Sequence, residues 1–154
     1  MTTRTKPPPA TEQDLTPEEL ARAANDMAKV LEREPQLGDF GFGVFDPRSK
    51  TPDERVADLR RNRTQICEPR SLAQFMAARG WLSQFAKTKA LSDKGSSYGL
   101  KHVAEHDIGY VTNGVFIAAA MAEGFTVRRV RDTPNGQINI SAKAWATIAH
   151  RVYA

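Results

Sequence analysis

Leu20, Ala24, Met27 and Leu31 recur at three- to four-residue spacing, the period of an amphipathic helix with one apolar stripe. Arg22, Asp26, Lys29 and Arg33 take the opposite face. Thr16-Pro17-Glu18-Glu19 opens this helix as a capping box with proline at the first helical position, and Pro35 closes it. From 36 to 50 the pattern changes to alternation. Phe40, Phe42 and Val44 alternate with Gly41 and Gly43, which predicts a short strand or an extended loop lying on the core. Thr51-Pro52-Asp53-Glu54 repeats the first capping signal. The helix it opens has few large apolar residues (Val56, Leu59) and four arginines (Arg55, Arg60, Arg61, Arg63). It predicts a surface helix ending near Thr64.

Ser71 with Gln74 predicts a further capping box. Leu72, Phe75, Met76, Leu82, Phe85 and Ala86 then lie on one side of a core helix. Trp81 falls opposite that stripe, so either the helix bends at Gly80 or this tryptophan meets something else. Lys87, Lys89 and Lys94 populate a polar connector. A short helix follows over Ser97–Glu105, with Leu100, Val103 and Ala104 inward and Tyr98, Lys101, His102 and Glu105 outward. His106-Asp107-Ile108-Gly109 makes a turn. Thr112 or Asn113 caps the next helix, Gly114–Glu123, and Gly124 ends it. That helix is apolar all round, which predicts burial on most sides. Phe125–Val130 and Gln137–Ile140 read as strands joined through Asn135-Gly136, a strong hairpin signal. Ser141 caps a last helix containing Trp145 and Ile148.

Helix, short turn, helix and hairpin in this order predict a mainly α fold with one β-hairpin, winged-helix-like. The expected organisation is a disordered tail over 1–14, where prolines dominate, a helical arm with its Gly/Phe loop over 15–68, and the winged-helix-like domain over 69–154.

Charge adds a division. The 154 residues carry a net charge of +4, with 22 Lys and Arg against 18 Asp and Glu. Residues 1–54 hold 7 basic and 11 acidic side chains, and residues 55–154 hold 15 and 7. A carboxy-terminal part at +8 favours an anionic partner, nucleic acid being the commonest. The single cysteine, Cys67, excludes an intrachain disulfide and fits a reducing, cytoplasmic setting. No apolar run approaches the length of a membrane span, and the amino-terminal stretch has no apolar core of a secretory signal.

Several motifs bear on chemistry. His102-Val103-Ala104-Glu105-His106 matches the inverted zinc-protease pattern H-x-x-E-H. The helix is short there, and downstream ligands are few (Asp107, Glu123, Asp132, His150), so exposed histidines beside a turn are expected and no metal or other cofactor. Phe40-Gly41-Phe42-Gly43-Val44-Phe45 is similar to the aromatic strand of RNA-recognition sheets. Asp39 stands in place of the leading basic residue and no matching strand order surrounds it, which favours a core plug. Cys67 has Glu68 beside it, which disfavours a thiolate. No phosphate loop, nucleophile elbow or paired-cysteine motif is present, and no enzyme is expected.

Three stretches resemble a group of small bacterial proteins of uncharacterised function, some carried on mobile elements. They are Ser97-Tyr98-Gly99-Leu100-Lys101-His102, Gly109-Tyr110-Val111-Thr112-Asn113-Gly114-Val115-Phe116-Ile117 and Asn135-Gly136-Gln137-Ile138-Asn139-Ile140. The likeness covers roughly residues 70–141. It implies a bacterial or phage setting and carries no activity.

The expected function is that of a non-enzymatic, DNA- or RNA-binding accessory or regulatory protein. Arg128, Arg129, Arg131, Lys101, His102 and Tyr98 would meet mainly phosphate, and Thr112 and Asn113 bases. The competing expectation is a protein-interaction module, an inhibitor or adaptor of a larger complex, presenting Leu20, Met27 and Trp81.

Overall fold

The computed structural model describes residues 5–91 and 95–153. Residues 1–4 of the expected tail, and Lys94 of the connector, lie outside the described residues. Helix α1 (Pro17–Arg33) is closed at its start by a reciprocal pair. Thr16 Oγ1 accepts from the Glu19 amide at 3.1 Å, and Glu19 Oε1 accepts from the Thr16 amide at 3.0 Å. Two donors that the first turn leaves orphaned are thereby satisfied. The stripe is buried through Ala23, Met27, Val30 and Leu31, whereas Ala24 faces out. The antiparallel pair β1 (Leu37–Gly38) and β2 (Gly41–Phe42) follows, with Leu37 opposite Phe42. Of the aromatic run, Phe42 is the core plug, and Phe45 stays exposed. Helix α2 (Pro52–Gln65) starts with a second capping box and buries none of its residues. Its Arg63 donates to the carbonyls of Leu31, Glu34 and Leu37 at 2.8–2.9 Å. A cation here satisfies carbonyls at the negative end of α1.

Helix α3 (Pro69–Leu82) begins earlier than the expected box. Pro69, with its preset φ and no N–H, starts it. Ser71 and Gln74 are therefore interior and buried, Ser71 Oγ donating to Gln65 O. Helices α4 (Ser97–Ile108) and α5 (Asn113–Ala122) are joined through Gly109, whose φ of 78° suits only glycine. The hairpin β3 (Val127–Arg129) and β4 (Gly136–Ile138) pairs Arg128 with Gln137. On its other edge β4 meets Ser96 by a single bridge at Gln137, and Ile140, just after β4, bridges Lys87. Helix α6 (Ala142–Tyr153) follows, with Trp145 half-buried against the core and Ile148 buried in it. The architecture is mainly helical with two small antiparallel pairs among the described residues.

One buried cluster runs from Ala23 to Ile148. The 15–68 segment, expected as an arm, supplies Ala23, Met27, Val30, Leu31, Leu37, Phe42 and Ile66 to it. Met27 is therefore wholly inside, and Leu20 packs on the cluster's edge. Trp81 is also buried, not outward. Its indole lies against Phe85 and Phe116 and donates to Asp107 Oδ2 at 2.9 Å. Helix α3 packs on α1 and α5 and also on α4, so it has apolar surroundings on more than its stripe. Of the three residues expected to meet a partner, Met27 and Trp81 are enclosed, and Leu20 remains partly exposed. Residues 5–14, expected to be disordered, follow a defined path: the Pro7 and Pro8 carbonyls lie against Gly109, and Lys6 Nζ is 3.8 Å from Glu105 Oε1.

At the centre stands α5, buried from Asn113 to Ala120. Gly114 donates to Asp39 O at 3.1 Å, and a methyl group there would run into the Gly38 carbonyl. Gly114→Ala is expected to destabilise the fold by about 1–3 kcal/mol in urea unfolding. Gly80→Ala, on exposed helix with nothing near the added methyl, should stabilise by roughly 0.5–1 kcal/mol.

Candidate functional site

A cleft of about 660 Å3 opens where distant segments meet. The turn between β1 and β2 contributes Asp39 and Phe40, and the end of α2 contributes Asn62 and Gln65. Tyr98, Lys101 and His102 come from α4, Tyr110 from the α4–α5 turn, and Pro134 and Asn135 from the hairpin turn. A polar network holds these walls in place. The Gly136 amide donates to Ser97 Oγ at 3.0 Å, and Ser97 Oγ donates to Asn113 Oδ1 at 3.0 Å. Asn113 Nδ2 donates to Pro134 O and to Asn135 Oδ1, both at 3.1 Å. The Phe42 amide also donates to Pro134 O, at 2.9 Å. The hairpin turn is thus tied to α4, α5 and β2 together.

This network corrects two expected base contacts. Asn113 is buried with both amide ends engaged, because it ties α5 to the hairpin. Thr112 Oγ1 accepts from the Val115 amide as the cap of α5 and donates to Asp39 Oδ1 at 2.9 Å. Both side chains have their donors committed to holding the fold.

Lys101 and Glu105 were expected to face outward, yet they are only 5% and 2% exposed. They are tolerated inside because they neutralise each other one helical turn apart, with Lys101 Nζ 3.2 Å from Glu105 Oε2. The carboxylate also accepts from the Val111 amide at 3.4 Å and lies 3.0 Å from His102 Nδ1. Lys101 is therefore not a free phosphate contact. Its ammonium sits 5.9 Å from the Tyr98 ring centroid and 4.9 Å from that of Tyr110. Both tyrosines are exposed, at 53% and 55%. His102 meets Tyr98 edge-on at 4.4 Å and stays half-exposed.

The hairpin arginines do not form one patch. Strand alternation sends Arg128 and Arg129 to opposite faces. Arg128 donates to Gln137 Oε1 at 3.1 Å. Arg129 donates to Thr133 O at 3.0 Å and lies over the Phe42 ring. Arg131 is at the turn, with its side chain 96% exposed.

Burial raises the Asp39 carboxyl above its ordinary range, outweighing the Thr112 hydrogen bond and the nearby Arg70. Burial together with Asp39 and Glu105 raises the Tyr110 phenol, so it keeps its proton at neutral pH. Partial burial likewise raises the Cys67 thiol, which makes it a poor nucleophile. Among the described residues no group of three or more His, Cys, Asp or Glu side chains is placed to hold a metal ion. Among them, too, no helix is long and apolar enough to cross a membrane.

Of the expected site residues, Tyr98, Lys101, His102, Thr112 and Asn113 come together at the cleft, and the arginines lie along or beyond its hairpin wall. Asp39, Asn62, Gln65, Tyr110 and Asn135 were not anticipated. Only Tyr110 carried a signal, as a tyrosine placed just after Gly109 in a connection. No family model, curated protein or solved structure matches this chain.

Two outcomes are expected here. Glu105→Gln leaves a buried Lys101 ammonium without its counter-charge and should cost about 3–5 kcal/mol in urea unfolding. Asp39→Asn should raise the urea midpoint at pH 7, because the substituted amide keeps an acceptor for Thr112 and carries no desolvated charge. The folded-state pKa of Asp39 is raised, so the destabilisation is full above it. The variant's advantage should therefore fade as pH falls through the raised value towards the ordinary carboxylate value.

Proposed function

We propose that this chain is a non-enzymatic nucleic-acid-binding accessory or regulatory protein that holds phosphates with its hairpin arginines. The observation that carries the reading is the shared edge of the cleft. The hairpin turn bearing the exposed Arg131 continues into Pro134 and Asn135, which line the cleft together with surface aromatic side chains. Basic and aromatic side chains side by side suit a polyanion that also offers flat rings.

The order α3, connector, α4, α5, β3, β4, with the connector bridging the outer edge of β4, supports a winged-helix-like arrangement for this part. In that arrangement α5 takes the place of the helix that reads the major groove. Here β1, β2 and α1 already cover it, so the contacts proposed are Arg128, Arg129, Arg131, Tyr98 and His102, made largely to phosphate. The bacterial or phage setting implied by the resemblance, and a cytoplasmic location, belong to the same proposal. The protein-interaction alternative has less support, since Met27 and Trp81 are taken up by the core and Leu20 is partly covered at its edge.

Anisotropy of a labelled oligonucleotide across a salt series tests this reading. Binding should weaken steeply with salt, and Arg128→Ala with Arg131→Ala should lower the log–log slope by about 2. Binding that ignores both salt and these substitutions would refute it.

A further inference from the structure

Four large apolar side chains stand out as exposed among the described residues, Phe45, Val56, Tyr98 and Tyr110, and the two tyrosines lie in the same cleft. Both flank one ammonium, that of Lys101. Phe40 also lines the cleft, braced edge-on by Phe45 at 6.0 Å.

The polar groups of the cleft are of a particular kind. Asn62 and Gln65 have side-chain amides with no hydrogen-bond partner among the described residues. Asn135 accepts through Oδ1 and keeps its NH2 as a donor. Asp39 engages Thr112 through Oδ1, which leaves Oδ2. Amides and a carboxyl match the donor and acceptor edges of nucleobases. Phosphate, by contrast, calls for uncompensated cations, and the one lysine of the wall is neutralised by the buried Glu105. Among the described residues no arginine lines the cleft: Arg128, Arg129 and Arg131 stand on the hairpin, and the exposed Arg70 lies near Asp39 outside the lining. The chemistry is therefore divided, with flat rings and amides inside and guanidinium groups outside.

We propose that the cleft receives an unpaired nucleobase of a single strand, stacked on Tyr98 or Tyr110, while the hairpin arginines hold the adjoining phosphates. A base within a duplex has both faces covered by its neighbours and its Watson–Crick edge paired, so it offers no ring to stack and only its groove edges to an amide. Single-strand preference follows. The proposal rests on the nucleic-acid reading above and adds to it which form of nucleic acid binds and where the base sits.

The test uses the full chain and a labelled 15-nucleotide mixed-sequence DNA strand, alone and annealed to its complement. The single strand should bind about tenfold or more tightly than the duplex. Tyr98→Ala combined with Tyr110→Ala, both at exposed positions, should remove that preference, and the paired Tyr→Phe changes should restore it. A 2-aminopurine in the strand should lose fluorescence on binding to wild type and not to the alanine variant. Equal binding of strand and duplex, indifferent to the tyrosines yet lost on replacing Arg128 and Arg131, would overturn the base site and leave the phosphate reading standing. No binding of either form at low salt would overturn both. Displacement of the strand by adenosine monophosphate at equal nucleotide concentration would assign the cleft to a free nucleotide, and would also overturn the proposal.

Discussion

The close burial of α5 is the constraint from which the remaining structure follows. A helix running Gly-Val-Phe-Ile-Ala-Ala-Ala has no polar face to give to water. It has to be enclosed, and α1, α3, α4 and the β1–β2 pair enclose it. The small side chains permit this, and Gly114 most of all, because the backbone at Gly38 and Asp39 passes directly over it. Once that segment is seated, Asp39 and Phe40 are delivered beside the start of α5, and one side of the cleft exists. The same enclosure removes α5 from any groove of a duplex.

Polar groups then hold the rest of the site. Asn113, at the first position of α5, links α4 through Ser97 and the hairpin turn through Pro134 and Asn135. A buried amide with every partner in place rigidifies what it connects. Arg79 performs a similar service on the far side, joining Asp26 of α1 at 2.7 Å to Glu123 after α5 at 2.8 Å. The cleft is thus built on fixed elements, which suits a site that must keep rings and amides apart at set spacings.

Charge placement gives the proposed function its form. The carboxy-terminal excess of basic residues reads, as composition, like one broad basic surface. Folding breaks it up. Lys101 is neutralised inside, Arg63 is spent on the carbonyls that end α1, and Arg79 is spent on two carboxylates. Arg128, Arg129 and Arg131 keep exposed side chains, distributed over both faces and the turn of a hairpin. A few well-separated cations beside an aromatic cleft differ from a continuous positive field. The former suits local contact with a strand, and the latter suits wrapping by a duplex.

What the sequence alone determined is local. The two Thr-Pro capping boxes, a cap at Thr112 or Asn113, the all-round burial of α5 and the Asn-Gly hairpin were legible because each depends on residues within a few positions of one another. Helical periodicity reports burial against a single neighbour, so it placed the α1 stripe to within one residue at Ala23. It mistook Trp81, which α4 covers from a second side. Periodicity also counts a charged residue as outward, and so missed Lys101 and Glu105, whose burial depends on mutual neutralisation and on cover from segments far along the chain. The cleft was invisible for the same reason. Its walls come from residues as distant as Asp39 and Asn135, and only the tertiary structure, by closing those segments around α5, decided that they would face one another.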